Sequence, residues 1–398
     1  MIYNISLTIK KLLMLIMINS LLINLMFLNE NSYMSQKKII LFIPSIEKGG
    51  AEKNLFIISN YLSNRFKQLT VISATKKAKK SFNRRIEFLC PDSEIWDIFG
   101  RGIKTFISIF FLIKKILQDR KILVLSFQSN IYAITICKIF SINVITRSNS
   151  FPDDWSNNNI KKSIFKKILP LAKKNIVNSI EIRKKFKLAY KINAKCIYNP
   201  LNRKEIIKLS KKKTKNIFLN KNFLKIIHVG RFSEEKDHIT FLNALTLLKE
   251  KIKFEAVIMG RGHLKKKIYQ FIETNKLKKN VRILDYKKNP YPYIKQADFL
   301  VLTSLHEGLP NILLEAVVLS KFIISSNCPT GPKEILNNGK GGELFKVGNY
   351  KDLAKKIIFY SKNNKKRKEK IKFALSKVNR FDYERNLREY FDVLDNID

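Results

Sequence analysis

Short apolar runs alternate with stretches of helical apolar spacing through the first half of the chain. Residues 38–45 (KIILFIPS) form a run rich in Ile, and a Gly-rich turn separates it from a stretch of helical spacing. Strands are further predicted at residues 68–72, 122–126 and 143–146, and helices at 103–117 and 131–140. Strands that alternate with helices favour a parallel sheet covered by helices.

The same alternation restarts in the second half of the chain. Strands are predicted at residues 223–229, 253–259, 281–284, 299–302 and 322–325, and helices at 238–248, 264–274 and 382–394. Two successive sets of this kind predict an α/β fold of two Rossmann-like, doubly wound parallel-sheet domains that face a cleft. A ligand is then expected outside the carboxyl ends of the strands, between the domains.

The length of 398 residues suits two domains of about 150 to 200 residues each. The predicted division has an N-terminal and a C-terminal Rossmann-like domain, flanked by an apolar leader and a last helix that packs back toward the N-terminal domain. Their bounds are 1–35 for the leader, 36–215 and 216–375 for the domains, and 376–398 for the last helix. A basic segment near residues 211–215 is the predicted connector.

The leader contains an almost wholly apolar segment at residues 12–28, which Asn19, Ser20 and Asn24 interrupt. A membrane-crossing helix needs about 20 apolar residues, and a signal peptide needs a cleavage site with small residues. Three interpretations stay open: a membrane anchor, a poor signal peptide, or translated sequence upstream of a start at Met34.

The net charge of +45 comes mostly from Lys and would suit a polyanionic partner. An A- and T-biased codon usage that enriches Lys, Ile and Asn explains the charge equally well. If the charge is functional, an anionic membrane surface is favoured over nucleic acid, because no helix-turn-helix, zinc module or aromatic platform is visible. The cysteines lack C-x-x-C spacing and predict neither a zinc site nor a disulfide framework.

The most specific motif is SLHEGLPNILLEA at residues 304–316, directly after a predicted strand. Its two acids, Glu307 and Glu315, have seven residues between them. Glu307 lies in the loop, where a carboxylate can reach sugar hydroxyls, and Glu315 lies in the helix, where it can bond a ribose diol. The turn at Gly308 opens this helix, whose N–H groups and positive dipole end suit a diphosphate.

This segment resembles the E-x7-E signature of retaining GT-B glycosyltransferases of the group 1 or family 4 type. The resemblance places Glu307 at the transferred sugar and Glu315 at the ribose. It also implies a donor-binding role for the neighbouring residues Gly308, Leu309, Pro310, Asn311 and Ile312.

A second motif, at the end of another predicted strand, holds Gly230, Arg231 and Lys236. It resembles the G-R-x4-K element of the same family, in which the two cations neutralise the donor diphosphate. Fixed cations are needed because the negative charge of the leaving group grows as the glycosidic bond breaks. With Glu307, Arg231 and Lys236 form the predicted catalytic set.

In the N-terminal half, residues 49–52 resemble the G-G-A-E loop of the family, and Gly50 is expected to close on the donor from across the cleft. Arg147 and Asn149 follow another predicted strand and are candidate contacts of the sugar or acceptor. No metal or other cofactor is expected, because the one acidic pair of note, Asp153 and Asp154, is better explained as a turn. Residues 327–335 and 339–343 look like the subset that builds cell-surface polysaccharide and are expected to line the donor cleft.

The resemblance implies transfer of a UDP-linked hexose or N-acetylhexosamine, with retention of configuration, to a lipid-linked or polysaccharide acceptor. Lipopolysaccharide, capsule or O-antigen biosynthesis is the expected setting, with the protein cytoplasmic and peripheral on the inner face of the membrane. The apolar helix at 103–117, with Lys near both ends, is either a membrane contact or a buried core helix. Alternatives are a nucleotide-sugar epimerase or glycogen-type synthase of the same fold, and an inactive partner subunit.

Overall fold

The computed structural model describes residues 34–47, 50–152 and 158–397. The apolar leader through residue 33, the first glycine of the G-G-A-E loop and the acidic pair Asp153 and Asp154 therefore lie outside the described residues. Within those ranges no helix is long and apolar enough to cross a membrane.

The first domain is built on a sheet of seven parallel strands in the order β3-β2-β1-β4-β5-β6-β7. In the inner strand β1, Ile39 and Leu41 face one side of the sheet and Ile40 and Phe42 face the other, and all four are buried. A strand buried on both faces appears as a continuous apolar run, which explains why β1 was predictable. The strands are β1 (Ser35–Phe42), β2 (Phe66–Ile72), β3 (Glu87–Leu89), β4 (Ile122–Ser126), β5 (Asn143–Ser148), β6 (Lys174–Val177) and β7 (Lys195–Cys196).

Helices cover both faces of this sheet. Leu55 and Ile58 of the first helix pack on one face, and Leu112 and Ile134 of the next two pack on the other. The helices are α1 (Gly50–Leu62), α2 (Arg101–Gln118), α3 (Asn130–Ile139), α4 (Asn159–Ile168) and α5 (Ile180–Tyr190), with 3₁₀ segments at Lys76–Ser81, Glu94–Ile98 and Leu169–Leu171. Hydroxyl and amide side chains cap several of them; Ser179, for example, accepts a hydrogen bond from the Ile182 N–H at the start of α5.

The second domain has six parallel strands in the order β10-β9-β8-β11-β12-β13. Ile226 and Ile227 of its central strand face opposite sides, each inside a separate apolar cluster. The strands are β8 (Leu224–Val229), β9 (Phe254–Gly260), β10 (Val281–Asp285), β11 (Phe299–Leu302), β12 (Phe322–Ser326) and β13 (Glu343–Phe345). The sheet again has the twofold layering of a doubly wound domain.

Eight helices accompany the second sheet among the described residues, before the chain returns to the first domain. They are α6 (Arg203–Ser210), α7 (His238–Leu248), α8 (Lys265–Thr274), α9 (Tyr291–Gln296), α10 (Asn311–Val318), α11 (Pro332–Ile335), α12 (Tyr350–Lys362) and α13 (Asn364–Ser376), with 3₁₀ segments at Glu234–Lys236 and Val378–Phe381. Two of these segments, α10 and the 3₁₀ turn at Glu234–Lys236, carry the motifs of the predicted site.

The last helix, α14 (Tyr383–Asp395), lies against the first domain. Leu387, Tyr390 and Leu394 are fully buried in the same apolar cluster as Ile39 and Leu41 of β1. The C-terminus of the chain therefore completes the core of the domain that the N-terminal half begins.

The structure confirms the predicted fold class of two α/β domains with parallel sheets. Each predicted strand is present, with bounds that differ by up to three residues; the strand predicted at 38–45 spans Ser35–Phe42, and the one predicted at 68–72 begins at Phe66. Four further strands, β3, β6, β7 and β13, complete the two sheets.

Candidate functional site

The predicted site residues gather where the carboxyl ends of the two sheets face each other. Glu307 and Lys236 come after β11 and β8 of the second domain, and Gly50 and Asn149 come after β1 and β5 of the first. This is the edge at which open α/β sheets bind their ligands.

Glu307 and Lys236 form an ion pair, with 2.5 Å between Lys236 Nζ and Glu307 Oε1. The same carboxylate oxygen accepts a hydrogen bond of 2.7 Å from the Ser304 hydroxyl. The two loops are held together because Thr303 Oγ1 donates to the Lys236 carbonyl at 2.9 Å and Leu305 N donates to the Glu235 carbonyl at 2.9 Å. The first acid of the E-x7-E motif and the cation of the second motif thus form one preorganised unit.

Arg231 contacts a carboxylate of the opposite domain. Its guanidinium lies 3.7 Å from Glu47 Oε2, and Glu47 in turn accepts two hydrogen bonds from Arg101, at 3.2 and 3.0 Å. The Arg101 hydrogen bonds hold the pKa of Glu47 below its ordinary value. Sequence analysis had assigned no role to Glu47 or Arg101; the signal that could have pointed to Glu47 is its place just before the two glycines.

The glycine turn before α10 fits tightly under the first domain. A Cβ at Gly308 would lie 1.7 Å from the carbonyl oxygen of Asn149, and a Cβ at Gly331 would lie 2.0 Å from the carbonyl oxygen of Gly308. Thr330 also donates a hydrogen bond to the Glu307 carbonyl. Residues 330–331 thus contact the glycine turn directly. They belong to the segment 327–335, which was expected to line the cleft.

Residues 309–312 connect the two domains at the start of α10. The Asn311 amide donates to the Gly50 carbonyl at 3.1 Å, and the Asn199 amide donates to the Leu309 carbonyl at 3.0 Å and to Asn311 Oδ1 at 2.8 Å. Leu309 is buried in an apolar core cluster of the second domain, and Ile312 packs against that cluster. Pro310 precedes the first helical residue, where its missing N–H breaks no hydrogen bond.

Glu315 is buried and paired across the cleft. Lys53 of α1 lies 2.6 Å from its carboxylate and donates to the Tyr291 hydroxyl at 2.5 Å, while that hydroxyl is 3.3 Å from the same carboxylate. Burial raises the pKa of Tyr291 to about 12. Burial has the largest single effect on the pKa of Lys53 and lowers it, but the charges of Glu315 and Tyr291 and the hydrogen bonds to both together outweigh burial, so the pKa is raised. Lys53 is a second interdomain contact that sequence analysis missed.

Arg147, the other candidate sugar or acceptor contact at the end of β5, is held by protein partners in the structure. The residue is fully buried, and its guanidinium donates to the Tyr390 hydroxyl at 2.6 Å, to Asn199 Oδ1 at 2.9 Å and to Asn149 Oδ1. Its role is to hold the side chain of Asn149, which is half-buried and lies beside Gly308.

Gly230 directly follows β8 and makes no tight contact there, since the atoms nearest to a Cβ at this position would be 3.6 Å away. The position that requires glycine is Gly260, where a Cβ would lie 1.8 Å from the Gly230 carbonyl oxygen. The ends of β8 and β9 therefore approach closely beside Arg231. In the part of the chain that the structure describes, no group of three or more His, Cys, Asp or Glu side chains could hold a metal ion.

Comparison with known proteins agrees with this geometry. Residues 210–377 match the family model described as glycosyl transferases group 1. The matched residues include all six strands of the second sheet. An uncharacterized glycosyltransferase of Methanocaldococcus jannaschii is 37% identical over 126 residues, which is 31% of this chain and 30% of that protein.

A second relative, from Campylobacter jejuni, is named N-acetylgalactosamine-N,N'-diacetylbacillosaminyl-diphospho-undecaprenol 4-alpha-N-acetylgalactosaminyltransferase. It is 27% identical over 215 residues, which is 54% of this chain and 56% of that protein. The chain thus matches between a third and somewhat over half of the length of these curated relatives. Others are named for capsular polysaccharide or lipopolysaccharide core biosynthesis.

Among solved structures, the chain superimposes on Anabaena Alr3699/HepE in complex with UDP and glucose with a TM-score of 0.71 and 18% identity. The match covers 91% of this chain and 100% of that one. At this identity the likeness concerns the fold, and it extends over both domains. The architecture is GT-B.

Proposed function

We propose that this chain is a retaining glycosyltransferase that moves a sugar from a UDP-linked donor to a lipid-linked or saccharide acceptor. The observation that carries the proposal is the Glu307–Lys236 pair beside the glycine turn that opens α10. A sugar-binding carboxylate, a fixed cation and a helix N-terminus then lie within one short stretch of the cleft edge. This arrangement suits a nucleoside diphosphate that leaves from a bound sugar.

In the proposed reaction, the bond between the anomeric carbon and the diphosphate oxygen breaks, and a bond to the acceptor hydroxyl oxygen forms on the same face. The hydroxyl proton passes to a phosphate oxygen of the departing UDP. Lys236 and Arg231 stabilise the charge that develops on the diphosphate, and Glu307 orients the sugar without acting as a nucleophile. Glu315 binds the ribose diol, and Gly50 closes on the donor from the first domain. No metal takes part.

The nature of the acceptor is inferred from the relatives. The Campylobacter protein is named for transfer of N-acetylgalactosamine to a saccharide on a diphospho-undecaprenol carrier. We therefore propose an N-acetylhexosamine or hexose donor and a lipid-linked acceptor in cell-surface polysaccharide biosynthesis, with the enzyme on the cytoplasmic side of the membrane.

The test is turnover of the full chain with a panel of UDP- and GDP-sugars and a bacterial membrane lipid extract as acceptor. We expect a lipid-linked product from one UDP-sugar, with its anomeric configuration retained when the linkage is read by NMR. Glu307→Gln and Lys236→Ala should each lower kcat by about 100-fold or more. Lys278→Ala, which removes an exposed ion pair with Glu273 at the amino end of β10, should leave kcat unchanged.

Three results would contradict the proposal. Turnover of the donor sugar to its epimer without any acceptor would indicate an epimerase. Unchanged kcat in both Glu307→Gln and Lys236→Ala would place the chemistry elsewhere. Neither turnover nor binding of any donor would indicate an inactive partner subunit.

A further inference from the structure

An exposed apolar ridge runs along the outer side of the first domain, and we call it the α2 ridge. It consists of large side chains from the 3₁₀ segment Glu94–Ile98 and from α2, namely Ile95, Trp96, Ile98, Ile103, Phe106, Phe110 and Leu117. Ile98 and Phe106 are 78% and 76% exposed, and Phe110 is 64% exposed. Side chains of this size are unusual in such a contiguous group on a protein surface.

The first half of α2 buries polar side chains and exposes apolar ones, unlike a helix that only supports a core. Its buried side begins with Lys104, Thr105 and Ser108, and turns apolar only at Leu112 and Ile116. Hydrogen bonds satisfy the first two, since Lys104 Nζ donates to the Asp97 carbonyl at 2.8 Å and Thr105 Oγ1 to the Arg101 carbonyl at 2.8 Å. Meanwhile Ile103, Phe106 and Phe110 point to solvent.

A surface helix of a globular protein normally turns its apolar stripe toward the core. Packing within residues 34–47, 50–152 and 158–397 therefore does not account for the apolar stripe of α2. A second surface that covers the stripe would account for it.

Positive charge surrounds the α2 ridge. The basic 3₁₀ segment Lys76–Ser81 lies beside the segment Glu94–Ile98, joined to it by a hydrogen bond of 2.7 Å from the Lys76 N–H to Asp97 and by the Lys77–Glu94 ion pair. Lys79 and Lys80 are exposed there, and Lys114 is exposed on α2 itself. Apolar and aromatic side chains bordered by Lys are typical of helices that lie in a bilayer interface and are attracted to anionic headgroups.

The charge also argues against a second copy of the chain as the covering surface. Each copy carries a net charge of +45, and two like-charged basic borders would meet if the ridges faced each other. An anionic lipid surface complements both the apolar stripe and its basic border.

The ridge also begins next to the candidate site. Arg101, the first residue of α2, donates the two hydrogen bonds to Glu47, and Glu47 lies 3.7 Å from Arg231. A surface bound along α2 would therefore lie beside the cleft edge.

We propose that the α2 ridge docks the first domain on an anionic lipid bilayer, with Trp96, Phe106 and Phe110 at the depth of the headgroups and upper acyl chains. Docking of this kind sets the cleft beside the membrane surface. The proposal does not depend on the identity of the sugar or on whether transfer occurs.

The test uses the fluorescence of Trp96 in the full chain. The sequence has two tryptophans, so Trp155→Phe leaves Trp96 as the single emitter. With vesicles that contain phosphatidylglycerol, we expect a blue shift of the emission and quenching by brominated acyl chains. Vesicles of phosphatidylcholine alone should give a much weaker response, and salt should weaken the response to phosphatidylglycerol because it screens the Lys border.

Two further variants identify the ridge as the docking surface. In the Trp155→Phe background, Phe106→Ser and Phe110→Ser should each lower the vesicle partition coefficient by about tenfold or more, since each loses a buried aromatic ring in the bilayer. Leu219→Ser is the matched control, because Leu219 is 73% exposed but lies outside the ridge, and it should not change partition. All three positions are exposed, so the thermal midpoint should not fall.

Each contrary result has a definite meaning. Vesicle binding without brominated-lipid quenching of Trp96 would overturn the proposal, because another part of the chain would then hold the protein at the membrane. Emission that is already blue-shifted without vesicles would also overturn it: dependence on protein concentration would indicate a second copy on the ridge, and independence would indicate cover by the same chain. Binding of an acidic protein along the α2 ridge, without binding of vesicles, would also overturn the proposal.

Discussion

At the scale of single residues, a buried histidine lies directly behind the cations of the candidate site. His238 is 2% exposed, and within the described ranges neither of its ring nitrogens has a hydrogen-bond partner. Its ring centroid is 4.6 Å from that of His228. Burial, together with the charge of Lys236 and against the opposing charge of Glu235, lowers the pKa of His238 to about 4. The imidazole is therefore neutral in the folded protein at neutral pH.

This histidine predicts acid sensitivity of the second domain. The unfolded chain has the ordinary pKa of 6.5 and binds a proton that the folded chain rejects, so stability falls as pH drops from 6.5 toward 4. The contribution of His238 to that loss is on the order of 3 kcal/mol. Thermal unfolding at pH 7.5, 5.5 and 4.5 should show a smaller acid loss for His238→Phe than for the parent. The exposed His263→Phe is the control, and parallel pH curves for parent and His238→Phe would refute the prediction.

Sequence motifs identified some residues of the site and missed their partners for one physical reason. Glu307, Arg231 and Lys236 lie at strand ends next to glycine turns, so local pattern alone indicates them. Lys53 and Glu315, in contrast, are separated by 262 positions and meet only because the two domains face each other. The hydrogen-bond partner of Arg147 was missed for the same reason, because Tyr390 lies 243 positions away in the last helix.

At the scale of secondary-structure elements, the central strands were predictable, whereas three of the four edge strands, β3, β7 and β13, were not. β1 and β8 are buried on both faces and show long apolar runs, whereas β3 and β13 have three residues each and β7 has two. Segments this short carry no periodicity, and only pairing with a longer neighbour defines them. β6 begins with the polar residues Lys174 and Asn175, so only its last two residues are apolar.

A buried hydrogen bond between Arg147 and Tyr390 contributes to the attachment of α14 to the first domain. Tyr390→Phe keeps the ring in the core but removes the acceptor of the 2.6 Å hydrogen bond from Arg147 Nε. Because Arg147 is fully buried, the unpaired donor should cost about 1.5–3 kcal/mol. Urea unfolding followed by tryptophan emission reports on this domain, since Trp96 and Trp155 both belong to the first half of the chain.

Tyr132→Phe is the control for this experiment, because that tyrosine is on α3 and exposed. Its unfolding midpoint should equal that of the parent. An equal midpoint for Tyr390→Phe as well would show that Arg147 finds another acceptor, and that this hydrogen bond does not stabilise the attachment of α14.

At the scale of the whole molecule, a few polar contacts join the two domains across the cleft. They include the Asn311 and Asn199 amides near Gly50 and the Glu334 carboxylate of α11, which accepts from the Ile180 N–H at 3.0 Å. The Lys53–Glu315 pair differs from these because it joins full charges, one of them buried. Removing Lys53 leaves the Glu315 carboxylate buried without its cation, and separation of the domains would rehydrate it.

We therefore expect Lys53→Met to open the domains. Small-angle X-ray scattering should give a larger radius of gyration for Lys53→Met than for the parent, while Lys278→Met, which breaks an exposed ion pair within the second domain, should match the parent. Adding Glu315→Gln to Lys53→Met should restore part of the compactness, since the buried group is then neutral and no longer gains from water. If Lys53→Met scatters as the parent does, the amide contacts suffice to close the cleft. If the double variant is as open as Lys53→Met, the opening comes from lost packing of the lysine stem, and the buried charge of Glu315 is not its cause.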